Sequence, residues 1–400
     1  MKKLFYLFLC SIVNVLSAGD FAYVANRDSD TVSVINPATS QIVANISAGD
    51  GPSLLGISPE GNLIVVGNLF DSKVRFIDTN SNTVIKVTEM PGGPIGVSFS
   101  PDGSYIYGVS GNDLRRIDRN TLELAGTILL TGSSAQFLAF SPDGAFAYVA
   151  MGGSDIVSVV NTTLGAEVAT IEVGTTPSGV VFSGDGSVAY VSNLGSNNVS
   201  VINAATTSII ATIDVGTEPF GMALSRDGTK LYVANNGSDN VSVIDVSSNS
   251  VTATIDVGTG PSVIAFSPNG TAAYVTNITS DDVSVIDAIN DTLSSTISVG
   301  SEPLGVVFTP PQITAVRVKE DQLFHIAYNV QLSWPAILGA TQYRIYRGPF
   351  MTNFIGVSSA TSFTDYNRKP GESYNYYVFA ENVNRNQALV NRLLNFSFNK

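Results

Sequence analysis

Short apolar runs separated by turn-forming clusters fill the chain between residues 20 and 309. The stretch starting at Pro219 shows the pattern. An apolar run at 220–224 is followed by the turn Ser225-Arg226-Asp227-Gly228, and further runs occupy 231–234, 241–244 and 251–257. In the last of these, Val251, Ala253, Ile255 and Val257 fall on alternate positions, the two-residue period of a strand. The spacing predicts four short strands per unit.

The unit recurs. Tyr23-Val24-Ala25-Asn26, Val65-Val66-Gly67-Asn68, Tyr107-Gly108-Val109-Ser110 and Tyr148-Val149-Ala150-Met151 mark four copies. Tyr190-Val191-Ser192-Asn193, Tyr232-Val233-Ala234-Asn235 and Tyr274-Val275-Thr276-Asn277 mark three more, at intervals of 42 residues with one of 41. A repeat of that length with four strands is the signature of a propeller blade. Turns follow the same rhythm: in Ser58-Pro59-Glu60-Gly61, Ser100-Pro101-Asp102-Gly103 and Ser141-Pro142-Asp143-Gly144, Pro pre-sets φ and Gly takes the left-handed position. Ser183-Gly184-Asp185-Gly186 and Ser267-Pro268-Asn269-Gly270 vary the theme. After each third run stands an Asp or Asn (Asn36, Asp78, Asp118, Asn161, Asn203, Asp245 and Asp287), whose short side chain bonds backbone two residues on.

The chain enters this array at a second strand (21–26) and leaves it after an extra first strand (305–308) that lacks its hairpin. Pairing these two segments would close the ring and remove free sheet edges. An all-β, seven-bladed propeller closed by its N- and C-terminal strands is therefore expected over residues 19–311. Its motifs resemble the YVTN-type repeat, seen here as Tyr274-Val275-Thr276-Asn277 with a Val-Ser-Val-Ile-Asp third strand. The resemblance implies a seven-bladed fold of the YncE-like or surface-layer type, found on bacterial or archaeal surfaces or in the periplasm. The third unit departs from the pattern, reading Leu114-Arg115-Arg116 where Val-Ser-Val is usual and Ala135 where Pro precedes the next inner strand.

Thr309-Pro310-Pro311 is a stiff connector with few donors. Beyond it, Val330-Gln331-Leu332-Ser333-Trp334, Tyr343-Arg344-Ile345-Tyr346 and Tyr374-Asn375-Tyr376-Tyr377-Val378-Phe379-Ala380 read as strands. Residues 312–400 resemble a fibronectin type III module, a small β-sandwich, with Trp334 as core anchor and the turn at 370–374 leading into a tyrosine corner. Such modules act as spacers or adhesive units.

Composition narrows the function. Residues 1–18 have a secretory pattern: Lys2 and Lys3, an apolar stretch at 4–15, then the small residues Ser17 and Ala18. The stretch is too short to span a bilayer, and no later segment approaches the length required. Removing the signal would leave no integral membrane segment and no cysteine, since Cys10 is the only one. Export to the periplasm, cell surface or medium follows. Residues 19–311 carry 28 acids against 9 bases, a net of −19, which disfavours nucleic acid as a partner. A protein or a cell-envelope or surface glycan is the expected partner.

The one histidine, His325, lies outside the repeats, so the array has neither His nor Cys for a nucleophile system. Soft metal sites and c-type haem lack their ligands there for the same reason. No catalytic, cofactor or metal residue is assigned. Oxygen ligands for Ca²⁺ are present in Asp28, Asp30, Asp239, Asn240, Asp281 and Asp282, although these positions also suit turn capping. The loops entering the first strands share one face with the loops between second and third strands. Residues there form the candidate binding face: Arg27, Phe70, Lys73, Glu218, Phe220 and Glu302. The reading is a non-catalytic binding, interaction or adhesion protein. A divalent-cation-dependent small-molecule enzyme of lactonase or lyase type and an architectural surface-layer subunit are the alternatives.

Overall fold

The computed structural model describes residues 20–310 and, beyond them, 314–322, 325–333, 342–347, 353–368, 376–382 and 387–390. The signal-like segment, Trp334 and the turn at 370–374 lie outside these residues. Among the described residues there are strands and turns but no helix.

Residues 20–310 form seven four-stranded antiparallel sheets, the blades of a propeller. Blade 6 comprises Pro219–Leu224, Lys230–Asn235, Asn240–Asp245 and Ser250–Asp256, ordered from the axis outwards. The inner strands of blades 1 to 7 are Pro303–Phe308, Pro52–Ile57, Gly96–Phe99, Ala135–Phe140, Pro177–Phe182, Pro219–Leu224 and Pro261–Phe266, each beside the next around the axis. Blade 1 draws on both ends of the array. Its second strand, Ala22–Asn26, pairs with Pro303–Phe308, Ala22 opposite Phe308 and Ala25 opposite Gly305.

Sequence periodicity becomes packing in a simple way. Second and third strands are rich in Val, Ile and Tyr, suited to a pleated surface buried on both faces, and are almost wholly buried. Outer strands alternate and expose most positions. In four blades the Tyr of the repeat packs edge-on against the Phe closing the next blade's inner strand. The pairs are Tyr107–Phe140, Tyr148–Phe182, Tyr232–Phe266 and Tyr274–Phe308, with ring centroids 4.7–5.1 Å apart. Such pairs add about 1 kcal/mol each beyond area burial, so in these four blades one motif residue fastens the blade to its neighbour. Tyr23 also reaches a turn of blade 2, its hydroxyl 2.7 Å from Asn82 Oδ1.

The described C-terminal residues form two further sheets. One orders Thr314–Gln322, His325–Ser333 and Ser362–Arg368; the other orders Asn353–Ser358, Gln342–Arg347, Tyr376–Asn382 and Gln387–Val390. The strand at Thr314–Gln322 was not legible in the sequence, where Arg317, Lys319, Glu320 and Asp321 mask its alternation.

Candidate functional site

One end of the propeller carries two kinds of loop, those entering inner strands and those joining second to third strands. Five of the seven entering loops place a left-handed residue just before the inner strand: Gly51, Thr176, Glu218, Gly260 or Glu302. A side chain of the preceding blade, itself left-handed, accepts the N–H of that residue. The distances are 3.0 Å for Gly51 to Asp30, 2.8 Å for Thr176 to Asp155, 2.9 Å for Glu218 to Asn197, 2.8 Å for Gly260 to Asp239 and 2.8 Å for Glu302 to Asp281. Non-glycine residues tolerate positive φ most readily when Asp or Asn can bond locally, which explains the repeated acids on this face.

These contacts give the Ca²⁺ candidates another occupation. Asp30, Asp239 and Asp281 hold entering loops, while Asn240 and Asp282 accept the amides of Asn235 and Asn277 at 2.8 and 2.6 Å. Only Asp28 stands apart. Loss of hydration and then the neighbouring Glu302 carboxylate raise its carboxyl above the usual range. Among the described residues no group of three or more His, Cys, Asp or Glu side chains is arranged to hold a metal.

Two of the six candidate residues meet. The guanidinium of Arg27 forms an ion pair with Glu302, Nε lying 2.7 Å from Oε2. The loops bearing them are also joined by backbone, Arg27 N donating to Glu302 O at 2.9 Å. Phe70 lies one blade away with its side chain 59% exposed. Its ring sits over Gly51, where any Cβ would fall 2.4 Å from the Phe70 ring. Lys73 pairs with Glu89 at 3.6 Å, at the start of the same blade's third strand. Glu218 lies exposed on the far side of the ring, beside Gly237.

Phe220 lies in the inner strand of blade 6, half-buried at the loop end of the channel, where its ring meets Phe137 edge-on at 5.3 Å. The intervening blade offers only Ser178-Gly179 at this level, and Gly179 cannot carry a Cβ, which would lie 2.6 Å from the Phe220 carbonyl oxygen. Two aromatic residues that break the repeat thus occupy the loop end of the channel. Phe137 was missed because its own unit is irregular. Arg75 and Arg115 replace the Ser of Val-Ser-Val in blades 2 and 3 and pair with Asp71 and Asp113.

Comparison with known proteins fits this architecture. No curated protein matches the chain. Among solved structures, Pseudomonas aeruginosa periplasmic gluconolactonase PpgL is 21% identical, covering 73% of this chain and 99% of that one, with a TM-score of 0.61. A functionally unknown protein from Desulfotomaculum acetoxidans is 18% identical, with 73% and 99% coverage and a TM-score of 0.66. Kuenenia stuttgartiensis hydrazine synthase is 21% identical, with 66% and 91% coverage and a TM-score of 0.62. At these identities the likeness concerns the fold. The model of the YNCE-like beta-propeller family matches residues 7–309, and the chain belongs to that family.

Proposed function

We propose that the chain is an exported, non-catalytic binding protein that meets its partner with the loop face of the propeller. The observation that carries this reading is the hydrogen-bonded framework of that face. Loops fixed by repeated Asp and Asn contacts present side chains that depart from the repeat, chiefly Arg27, Phe70, Lys73 and Glu218. A rigid scaffold lowers the ordering cost of association, and an exposed aromatic beside a partly buried cation is the composition of a binding hot spot. The secretory pattern at residues 1–18 supports a periplasmic or surface location, with a protein or envelope glycan as partner. The pairing of Ala22–Asn26 with Pro303–Phe308 supports a ring closed by both ends. The three- and four-stranded sheets of the C-terminal residues support the fibronectin type III reading, in which that segment spaces or attaches the propeller.

A pull-down from envelope fractions tests the assignment. The intact chain should retain a partner that the Phe70→Ser/Lys73→Ser variant loses. Equal capture by both proteins, or none by either, overturns the loop-face assignment. Hydrolysis of gluconolactone that depends on added Ca²⁺ would favour the lactonase-type reading instead, and ordered self-assembly of the purified chain the surface-layer one.

A further inference from the structure

The opposite end of the propeller carries the turns between inner and second strands, and there the boundary between blades 5 and 6 departs from the repeat three times. Where the Tyr of blades 3, 4, 6 and 7 meets a Phe of the next blade, Tyr190 of blade 5 packs with Leu224. Position two of the turn is Pro59, Pro101, Pro142 and Pro268 in blades 2, 3, 4 and 7, but Gly184 in blade 5. Pro59, Pro101 and Pro142 lie against Gly103, Gly144 and Gly186 of the following blade, where an added Cβ would fall 3.0–3.5 Å from the ring; a Cβ on Gly228 would meet nothing within 4 Å. The third departure is polar. Tyr23 donates its hydroxyl to Asn82 at 2.7 Å, and Tyr232 donates to Asp291, each acceptor being a left-handed residue in the next blade's turn between third and fourth strands. Asn249 is the counterpart for Tyr190, with the same left-handed φ of 51°, yet its Oδ1 is buried without a hydrogen-bond partner.

All three departures open on one space. A cavity of about 820 Å³ lies on the turn face of blades 4 to 6, with Gly184, Val188, Tyr190, Leu224, Gly228 and Asn249 in its lining. The lining is mixed in character, and its charged side chains are Asp143, Asp185 and Asp227 against Arg226, a negative balance. The Ser141 hydroxyl holds the Asp143 carboxyl below its usual range, and the Ser183 hydroxyl does so for Asp185, so both are ionised at neutral pH. Burial and then the charge of Asp185 raise the Tyr190 hydroxyl, which places that carboxylate close to the ring. The boundary between blades 6 and 7 shows what completes such a space. There the Phe266 ring lies edge-on to Tyr232 at 4.9 Å, and Lys230 Nζ joins the Tyr232 hydroxyl on the Asp291 carboxylate, 2.6 Å from Oδ2. Between blades 5 and 6, Leu224 stands for Phe266, Val188 for Lys230 and Asn249 for Asp291. The groups missing are one aromatic ring and one ammonium.

We propose that the turn-face cleft between blades 5 and 6 binds a small aromatic amine, its ring beside Tyr190 where other boundaries hold a Phe, and its ammonium donating to Asn249 Oδ1 in the field of Asp185. The volume is within the range of small-molecule sites. A ring set edge-on to Tyr190 gains what the chain's own Tyr–Phe pairs gain. A buried acceptor left without a donor is costly, so a ligand N–H that reaches Asn249 removes an existing penalty. The acidic balance of the lining favours a cation over an anion. The site lies at the other end of the propeller from the loop face and does not depend on the function assigned to that face.

Calorimetric titration of the full chain at pH 7 with phenethylamine, a primary amine and cationic there, tests the site. Phenethylamine should bind. The anion 3-phenylpropionate and the ringless butylamine should each bind at least about tenfold more weakly. Leu224→Phe supplies the ring used at other boundaries and should weaken phenethylamine by a similar factor without lowering the thermal unfolding midpoint. Asn249→Asp installs the carboxylate of blade 7 and should tighten phenethylamine about tenfold; it decides the matter if Leu224→Phe does not fold. Phe70→Ser, at the opposite end, should bind phenethylamine as the wild type does. Absence of binding at about 10 mM, equal binding of 3-phenylpropionate or butylamine, an affinity unchanged by Leu224→Phe or by Asn249→Asp, or loss of binding in Phe70→Ser would each overturn the proposal.

Discussion

Blades 1, 5, 6 and 7 and blades 2 and 3 reach the same backbone with different polar interiors. In the first group an Asn closes the second strand and donates its amide to the Ser at the centre of the third. Asn26 reaches Ser33 at 2.8 Å, while Asn193 reaches Ser200, Asn235 reaches Ser242 and Asn277 reaches Ser284, each at 2.9 Å. A Gly of the entering loop lies directly on that Asn: Cβ atoms at Gly174, Gly216, Gly258 and Gly300 would come within 2.8 Å of its side chain. In blade 2 the Ser is Arg75, whose guanidinium lies 2.5 Å from Asp71, and Asn68 turns instead to Ala48 O at 2.7 Å. In blade 3 the Asn is Ser110, and Arg115 pairs with Asp113. Strand register nonetheless runs as in the other blades, Leu63 opposite Asp78 as Lys230 is opposite Asp245. The blade is therefore specified by its apolar faces and turns. The polar seam beneath the loop face can vary from blade to blade without changing the strand register.

Mixing the two versions should be costly, and that is the largest effect expected. Arg75→Ala leaves Asp71, only 19% exposed, without its cation, and removing one partner of a mostly buried pair lowers unfolding free energy by about 3 kcal/mol. Arg75→Ser/Asp71→Ser, which moves blade 2 towards the regular composition, should recover most of the loss in urea unfolding. If the double variant is no more stable than the single one, the two seams are not equivalent solutions. A smaller contrast separates the asparagines. Asn235→Ala strips a donor from both Asn240 and Ser242, at a cost of about 2 kcal/mol. Asn68→Ala removes only its bond to the Ala48 carbonyl, and should cost about half as much. Equal losses would mean that the amide bonds are not what distinguishes the blades.

The part of this legible in the sequence is the part governed by local rules. Strand alternation, the Ser-Pro-Asp-Gly turns and the Asp or Asn after each third strand act within a few residues of themselves, and a repeat multiplies such signals sevenfold. Contacts between loops are different. Asp30 meets Gly51 and Asp239 meets Gly260 across 21 residues, so the sequence favours capping for those carboxylates without naming the loop each one holds. Phe220 reads as the start of an inner strand, but its meeting with Phe137, two blades away, is not written in that run. Phe137 and Arg226 carry a visible signal, each breaking the repeat. What the break achieves depends on which blades face each other across the channel, and periodicity does not encode that.

The smallest expected effect concerns a feature that both groups of blades share, the turn after the third strand. The backbone N–H groups of Thr121 and Asn120, 3.0 and 2.9 Å from Asp118 Oδ1, hold that carboxyl below its usual range in irregular blade 3. In regular blade 6 the hydroxyls of Ser247 and Ser248 and the Ser248 N–H do the same for Asp245. A carboxyl depressed in the folded state binds protons more readily in the unfolded chain. Its contribution is therefore present above the unfolded value of about 4 and is lost as pH falls through the folded one. Asn36, Asn161 and Asn203 stand at the same position in other blades, so Asp118→Asn and Asp245→Asn each keep the turn and remove the titration. Stability near pH 7 should change little in either variant, and the decline below about pH 4 should become slightly and equally shallower, as read from urea midpoints across the acid range. An acid limb that responds to Asp245→Asn but not to Asp118→Asn would show that the irregular blades differ in their turns as well as in their polar seams, and the separation drawn between scaffold and seam would fail.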